Sequence, residues 1–120
     1  MELNEYQKKA MGTCLPSCEN FTYMMLNLVG EVGEFAGKVA KAIRKEELGM
    51  YDNRLHVKNY GSPKMEFLDY DLMSEAGDIL WQLAGLCNVM GWDLNDVAQA
   101  NLDKLAKRKA ENTIITHQDH

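Results

Sequence analysis

Apolar residues recur along this chain at steps of three and four, and that rhythm divides it into four helical stretches. In residues 2–12, Leu3, Tyr6 and Ala10 share a face, and Gly12 closes the stretch. Pro16 forbids a continuous helix through 13–17, and Ser17 or Asn20 stands where a helix cap belongs. The next stretch, about 19–44, carries Phe21, Met25, Leu28, Val32, Phe35, Val39 and Ala42 as a sustained heptad stripe. Met24, Val29, Ala36, Ala40 and Ile43 widen it, so this helix is expected to pack on more than one side. A third stretch, from 64 or 65 to 90, repeats the pattern with Leu72, Ala76, Ile79, Leu83, Leu86 and Met90. Leu80, Ala84 and Cys87 form its second apolar face, and Gly91 follows where glycine favours a helix end. Asp93 is expected to cap a fourth helix, whose apolar side holds Leu94, Val97, Ala98, Leu102, Leu105 and Ala106.

Two segments fall outside the rhythm. Residues 46–65 hold the turn formers Gly49, Asp52, Asn53, Asn59, Gly61, Ser62 and Pro63. A connection this long in a small domain is either a binding loop or a plain surface loop; His56, Lys58, Tyr60 and Lys64 are available there to a ligand. The tail, 111–120, has only Ile114 and Ile115 to pack. The expected fold is therefore all-α, a bundle of about four helices in one domain spanning 1–120. A chain this short buries a modest core, so oligomerisation is expected to complete it.

Composition narrows the classes of function. The net charge of -5 lacks the basic footprint of a nucleic-acid polymer binder, while leaving room for a nucleotide held through a divalent metal. No apolar run reaches the roughly 18 residues of a membrane span, and the first residues lack the basic start and apolar core of a signal peptide. Cys14 and Cys18 flank Leu15, Pro16 and Ser17, but no second Cys or His pair completes a zinc site. Reduced thiols in a cytoplasmic protein are expected.

Against this background two short acidic words stand out: Glu31-Val32-Gly33-Glu34 and Glu75-Ala76-Gly77-Asp78. Each puts two carboxylates on one helix face, about a turn apart, where like charges destabilise the helix by a few tenths of a kcal/mol. Gly30, Gly33 and Gly37 each cost a helix about 1 kcal/mol against alanine, which implies close approach by another body. A lone Glu-x-x-Glu is most often a solvated face. Two such words on two apolar helices form instead an oxygen-rich site suited to Mg²⁺, with Mn²⁺ as a substitute. The di-iron version of this geometry needs a Glu-x-x-His word, and neither acidic word contains histidine. Asn101, Lys104 and Arg108 lie on one stripe of the fourth helix and suit phosphate oxygens, although Lys104 and Arg108 also suit a helix C-terminal dipole. Lys38, one turn after Glu34, can pair with that acid or reach a phosphate. Trp81 and Trp92 read as packing residues, with base stacking as the alternative. The chemistry these groups suit is metal-assisted hydrolysis of a phosphoanhydride, with a carboxylate not fully engaged by metal acting as general base.

The run Glu31-x-x-Glu34, Glu75-x-x-Asp78-Ile79-Leu80-Trp81 and Asn101-Leu102-x-Lys104-Leu105-x-x-Arg108 resembles the MazG-like nucleotide pyrophosphohydrolases of the all-α NTP pyrophosphatase superfamily. The resemblance covers about residues 19–110, and the gap between the acidic words is longer here than in compact members. It implies Mg²⁺-dependent hydrolysis of nucleoside triphosphates (ribo- or deoxy-) to the monophosphate and pyrophosphate, in clearing non-standard nucleotides or in controlling nucleotide pools. It implies Glu31, Glu34, Glu75 and Asp78 as metal ligands, Asn101, Lys104 and Arg108 at the substrate, and a homodimer or homotetramer. A dUTP/dCTP or phosphoribosyl-ATP pyrophosphohydrolase is the nearest alternative, and a non-catalytic helical dimerisation module is the alternative of another class.

Overall fold

Helix entry and exit signals place the elements of the computed structural model, which describes residues 1–58 and 61–111. They run α1 (Leu3–Met11), α2 (Phe21–Arg44), β1 (Leu48–Tyr51), β2 (Arg54–Val57), α3 (Pro63–Val89) and α4 (Leu94–Ala110). Asn20, rather than Ser17, caps α2, its side chain accepting a 2.7 Å hydrogen bond from the Tyr23 N–H. Ser62 does the same for α3, with Pro63 at the first helical position where its missing N–H costs nothing. At the far end of α3, Gly91 takes φ 73°, and the Trp92 N–H reaches the Cys87 carbonyl at 2.8 Å. This is the Schellman stop expected there.

The protein is mostly helical, as the periodicity predicts, and the 46–65 connection is a finding of its own. Half of it folds into an antiparallel hairpin in which Leu48 pairs with Val57 and Tyr51 with Arg54. Asp52 and Asn53 both adopt positive φ, 54° and 61°. Two successive left-handed residues make the type I′ turn that suits the strand twist. The turn signals were visible in the sequence; four-residue strands beside them were too short to register. Tyr60, Ile114 and Ile115 lie outside the described residues.

Helices α2 and α3 form an antiparallel pair. Their partners step in opposite directions: Met24 packs into the space at Gly85, Lys38 pairs with Asp71, and Glu47 pairs with Lys64. Met24 is fully buried, and a side chain at Gly85 would collide with its thioether, so this glycine is what lets the helices close. Gly30, Gly33, Gly37 and Gly77 differ, because nothing among the described residues comes within 4 Å of where a Cβ would stand. The close approach read from the glycines beside the acids is therefore not made within the described residues.

The other packing centre lies where α1 crosses α3 and α4. Ala84, Cys87 and Leu94 form its buried cluster, with Tyr6, Met11 and Val97 against it. The expected Asp93 side-chain cap of α4 does not form. Helix α1 caps α4 instead: the Leu94 N–H donates to Gln7 Oε1 at 3.0 Å, and the Asn95 N–H donates to Asn4 Oδ1 at 2.9 Å. Gln7 also donates through Nε2 to the Trp92 carbonyl at 3.0 Å. Trp81 is a packing residue held by hydrogen bonds, its indole N–H shared by the Ala10 carbonyl and the Thr13 hydroxyl. The expectation of three reduced thiols needs correction, because the 3-10 turn Pro16–Cys18 folds the segment back and Cys14 and Cys18 are joined as a disulfide. Their Cα atoms lie 6.3 Å apart, within disulfide range. Cys87 is free and buried, and burial pushes its thiol pKa up.

Much of the predicted core stripe remains outside. Phe21, Met25 and Val32 on α2 are exposed, as are Leu80 and Leu83 on α3 and Met90 at its end; Phe67, Tyr70 and Met73, outside the predicted stripe, add to the exposed apolar surface of α3. The radius of gyration is 17.5 Å, against roughly 14 Å for a compact chain of this length. No helix among the described residues is long and apolar enough to cross a membrane.

Candidate metal centre between two helices

The α2–α3 pairing brings the two acidic words to the same level. Glu31, Glu34 and Glu75 each offer a carboxylate oxygen, and these atoms lie within 4.8 Å of one another. Glu31 Oε2 and Glu75 Oε2 are buried and accept no hydrogen bond among the described residues. A buried carboxylate oxygen without a donor is costly. Burial, then the charges of Glu34, Asp78 and Glu75, pushes the Glu31 carboxyl above its ordinary pKa. A hard divalent cation removes both penalties at once, so these residues fit Mg²⁺ in chemistry and in number.

Asp78 stands beside the group of three rather than within it. It is exposed, it acts on Glu31 through its charge, and it adds to the burial that raises the Tyr6 phenol pKa. Lys38 reaches across to α3, not along its own helix to Glu34. Its ammonium donates to Glu75 Oε1 at 2.8 Å and to both Asp71 oxygens at 2.9 and 3.1 Å. These bonds, to Glu75 first and Asp71 second, raise the Lys38 pKa above its ordinary value. One Glu75 oxygen is thus fixed by Lys38 while the other is buried with no partner among the described residues. Asp71 was not singled out by the sequence; its place one turn before Glu75 on α3 was the available sign.

The basic stripe on α4 stands apart from this centre. Helix α4 packs chiefly on α1. Asn101 and Lys104 line a cavity of about 560 Å³ with Trp92, Asp96 and Val97, and none of the four acids lines it. Arg108 is half-buried on the same helix.

Comparison with known proteins bears on what this centre is for. The MazG nucleotide pyrophosphohydrolase domain matches residues 19–112, a span that includes both acidic words and all three residues of the α4 stripe. The chain belongs to the MazG family. It is 34% identical over 121 residues to the gene 37 protein of Mycobacterium phage L5, covering 95% of this chain and 94% of the relative. It is also 34% identical over 80 residues to the uncharacterized protein YvdC of Bacillus subtilis (strain 168), covering 67% of this chain and 71% of that one. No solved structure matches the chain. As a MazG-family chain it carries its acidic words on the longest two helices, with the hairpin inserted between them.

Proposed function

We propose that this MazG-family chain is a Mg²⁺-dependent pyrophosphohydrolase that cleaves nucleoside triphosphates to the monophosphate and pyrophosphate. One observation carries the reading: three carboxylates from two helices converge within 4.8 Å, and two of their buried oxygens lack a donor among the described residues. Glu31, Glu34 and Glu75 would hold the metal, and Asp78, beside them, would complete the set. The bound ion would neutralise phosphate charge and lower the pKa of a water. Lys38 keeps Glu75 aimed at the cluster through its 2.8 Å bond. Glu34, the exposed member, is the carboxylate best reached by a water whose proton must be taken.

Asn101, Lys104 and Arg108 serve the substrate in this reading. A second copy of the chain joins them to the acids and covers the exposed stripe on α2 and α3. Three features support a homodimer or homotetramer: the exposed apolar stripe, the open space over the helical glycines, and the extended shape. Sedimentation of the full chain tests the assembly, and a monomer at micromolar concentration would defeat it. Pyrophosphate release is the decisive measurement, made across ribo- and deoxynucleoside triphosphates with Mg²⁺, Mn²⁺ or EDTA. Metal-dependent release is expected from at least one nucleotide; none from folded protein removes the hydrolase reading.

A further inference from the structure

Past Lys38 the groove between α2 and α3 changes sign. A second cavity, of about 260 Å³, opens there and is lined by Lys38, Lys41, Lys45 and Lys64 together with Glu47 and Asp71. Both carboxylates are already engaged, Asp71 by Lys38 at 2.9 Å and Glu47 by Lys64 at 3.0 Å. Lys41 and Lys45 have no carboxylate partner among the described residues. A protein of net charge -5 therefore gathers a surplus of positive charge directly beside its carboxylate cluster.

Helix-end electrostatics accounts for part of this. Lys41 is in the last turn of α2, and Lys45 follows it, where cations suit the dipole. Lys64 is in the first turn of α3, where a cation opposes the dipole. What the lysines share is the cavity, and Lys38 is the wall between it and the acids. Its ammonium contacts Glu75 of the cluster on one side and Asp71 of the cavity on the other. From Lys38 to Lys45 the groove runs roughly 10 Å along α2 at the α-helical rise per residue, room for two linked phosphates.

We infer that this lysine-lined cavity binds the distal phosphates of the nucleotide, and holds pyrophosphate after cleavage. The inference rests on the function proposed above. With the phosphates nearest the scissile bond at the carboxylates, where Glu31, Glu34 and Glu75 would hold a metal, the phosphate chain beyond them would extend past Lys38 into the cavity. The site then selects for phosphate-chain length, because a monophosphate does not reach it.

Calorimetry with inorganic pyrophosphate and Mg²⁺ on the full chain, without nucleotide, tests this. Lys41→Gln/Lys45→Gln is expected to weaken pyrophosphate binding by about tenfold or more, the scale of losing hydrogen bonds to a charged group. Binding of a nucleoside monophosphate is expected to be unchanged. Lys41→Arg/Lys45→Arg should retain affinity, and circular dichroism should show each variant folded. In turnover the Gln variant should raise KM for the triphosphate with little change in kcat. A non-hydrolysable triphosphate should displace pyrophosphate. Unchanged pyrophosphate affinity in the Gln variant, no binding to the wild type at millimolar concentration, or failure of the triphosphate to displace pyrophosphate would each overturn the assignment. Turnover with unchanged KM in the Gln variant removes the cavity and leaves the hydrolase. Lysine-dependent pyrophosphate binding without turnover of any nucleotide removes the hydrolase and leaves an anion site.

Discussion

Two of the places where this protein buries polar side-chain atoms treat them in opposite ways. At the α1–α4 junction Gln7 is buried with both ends engaged, Oε1 by the Leu94 N–H and Nε2 by the Trp92 carbonyl. Between α2 and α3, Glu31 and Glu75 each keep a buried oxygen that nothing among the described residues satisfies. A buried group with its partners in the chain stabilises the fold as it stands. A buried anion left open makes the bare fold less stable and the loaded one more so, since a cation that binds only the native state shifts the equilibrium toward it.

The largest expected effect that would break this contrast is on catalysis. Glu34→Gln and Asp78→Asn should each lower turnover by more than the roughly 10–100-fold typical of an outer-shell partner, with circular dichroism unchanged. Near wild-type turnover in either variant under saturating Mg²⁺ would show that the acid is not part of the centre. The complementary change belongs to the other region. Gln7→Ala leaves the Leu94 N–H and the Trp92 carbonyl without their partner, and should cost about 2–4 kcal/mol in urea denaturation. Its Mg²⁺ dependence of turnover should be that of the wild type below the melting range.

A third test compares glycines. Gly85→Ala collides with the Met24 thioether and should destabilise by about 1–3 kcal/mol, as overpacking does. Gly33→Ala meets open space among the described residues and should gain about 1 kcal/mol of helix propensity if nothing packs there. A loss of assembly in sedimentation instead would place a second copy over Gly33.

The smallest expected effect is in pH dependence. Because the Glu31 pKa is raised in the folded protein, the penalty for its ionised form is absent below the ordinary carboxyl pKa and complete above the raised one. The metal-free protein should therefore become relatively more stable, through this group, as pH falls through the raised value. Urea midpoints in EDTA should show that trend in the wild type and lose it in Glu31→Gln. Adding Mg²⁺ at neutral pH should raise the wild-type melting temperature more than that of the variant.

Much of both regions was legible before any fold was known. The four-three stripes set the helices within a few residues, and Gly91 marked the end of α3 because only a left-handed residue ends a helix that way cheaply. The acidic words were legible because like charges a turn apart on an apolar helix have no local reason to exist. Gln7 was not, since a lone glutamine on a charged helix reads as surface until its partners, more than 80 residues away, are known. The hairpin was missed because four-residue strands carry too little alternation to outweigh the turn residues around them.

By itself, then, the sequence determined the local quantities: where helices start and stop, which faces are apolar, and which carboxylates share a turn. Those depend on neighbours three or four positions away, and a string of residues contains them. Only the tertiary structure decided the pairings across elements. It set Lys38 on Glu75 and Asp71 instead of on Glu34, α1 instead of Asp93 as the cap of α4, and the α4 stripe apart from the acids. Each turns on the angle and register at which two helices pack, and these follow from side-chain volumes such as the space that Gly85 leaves for Met24.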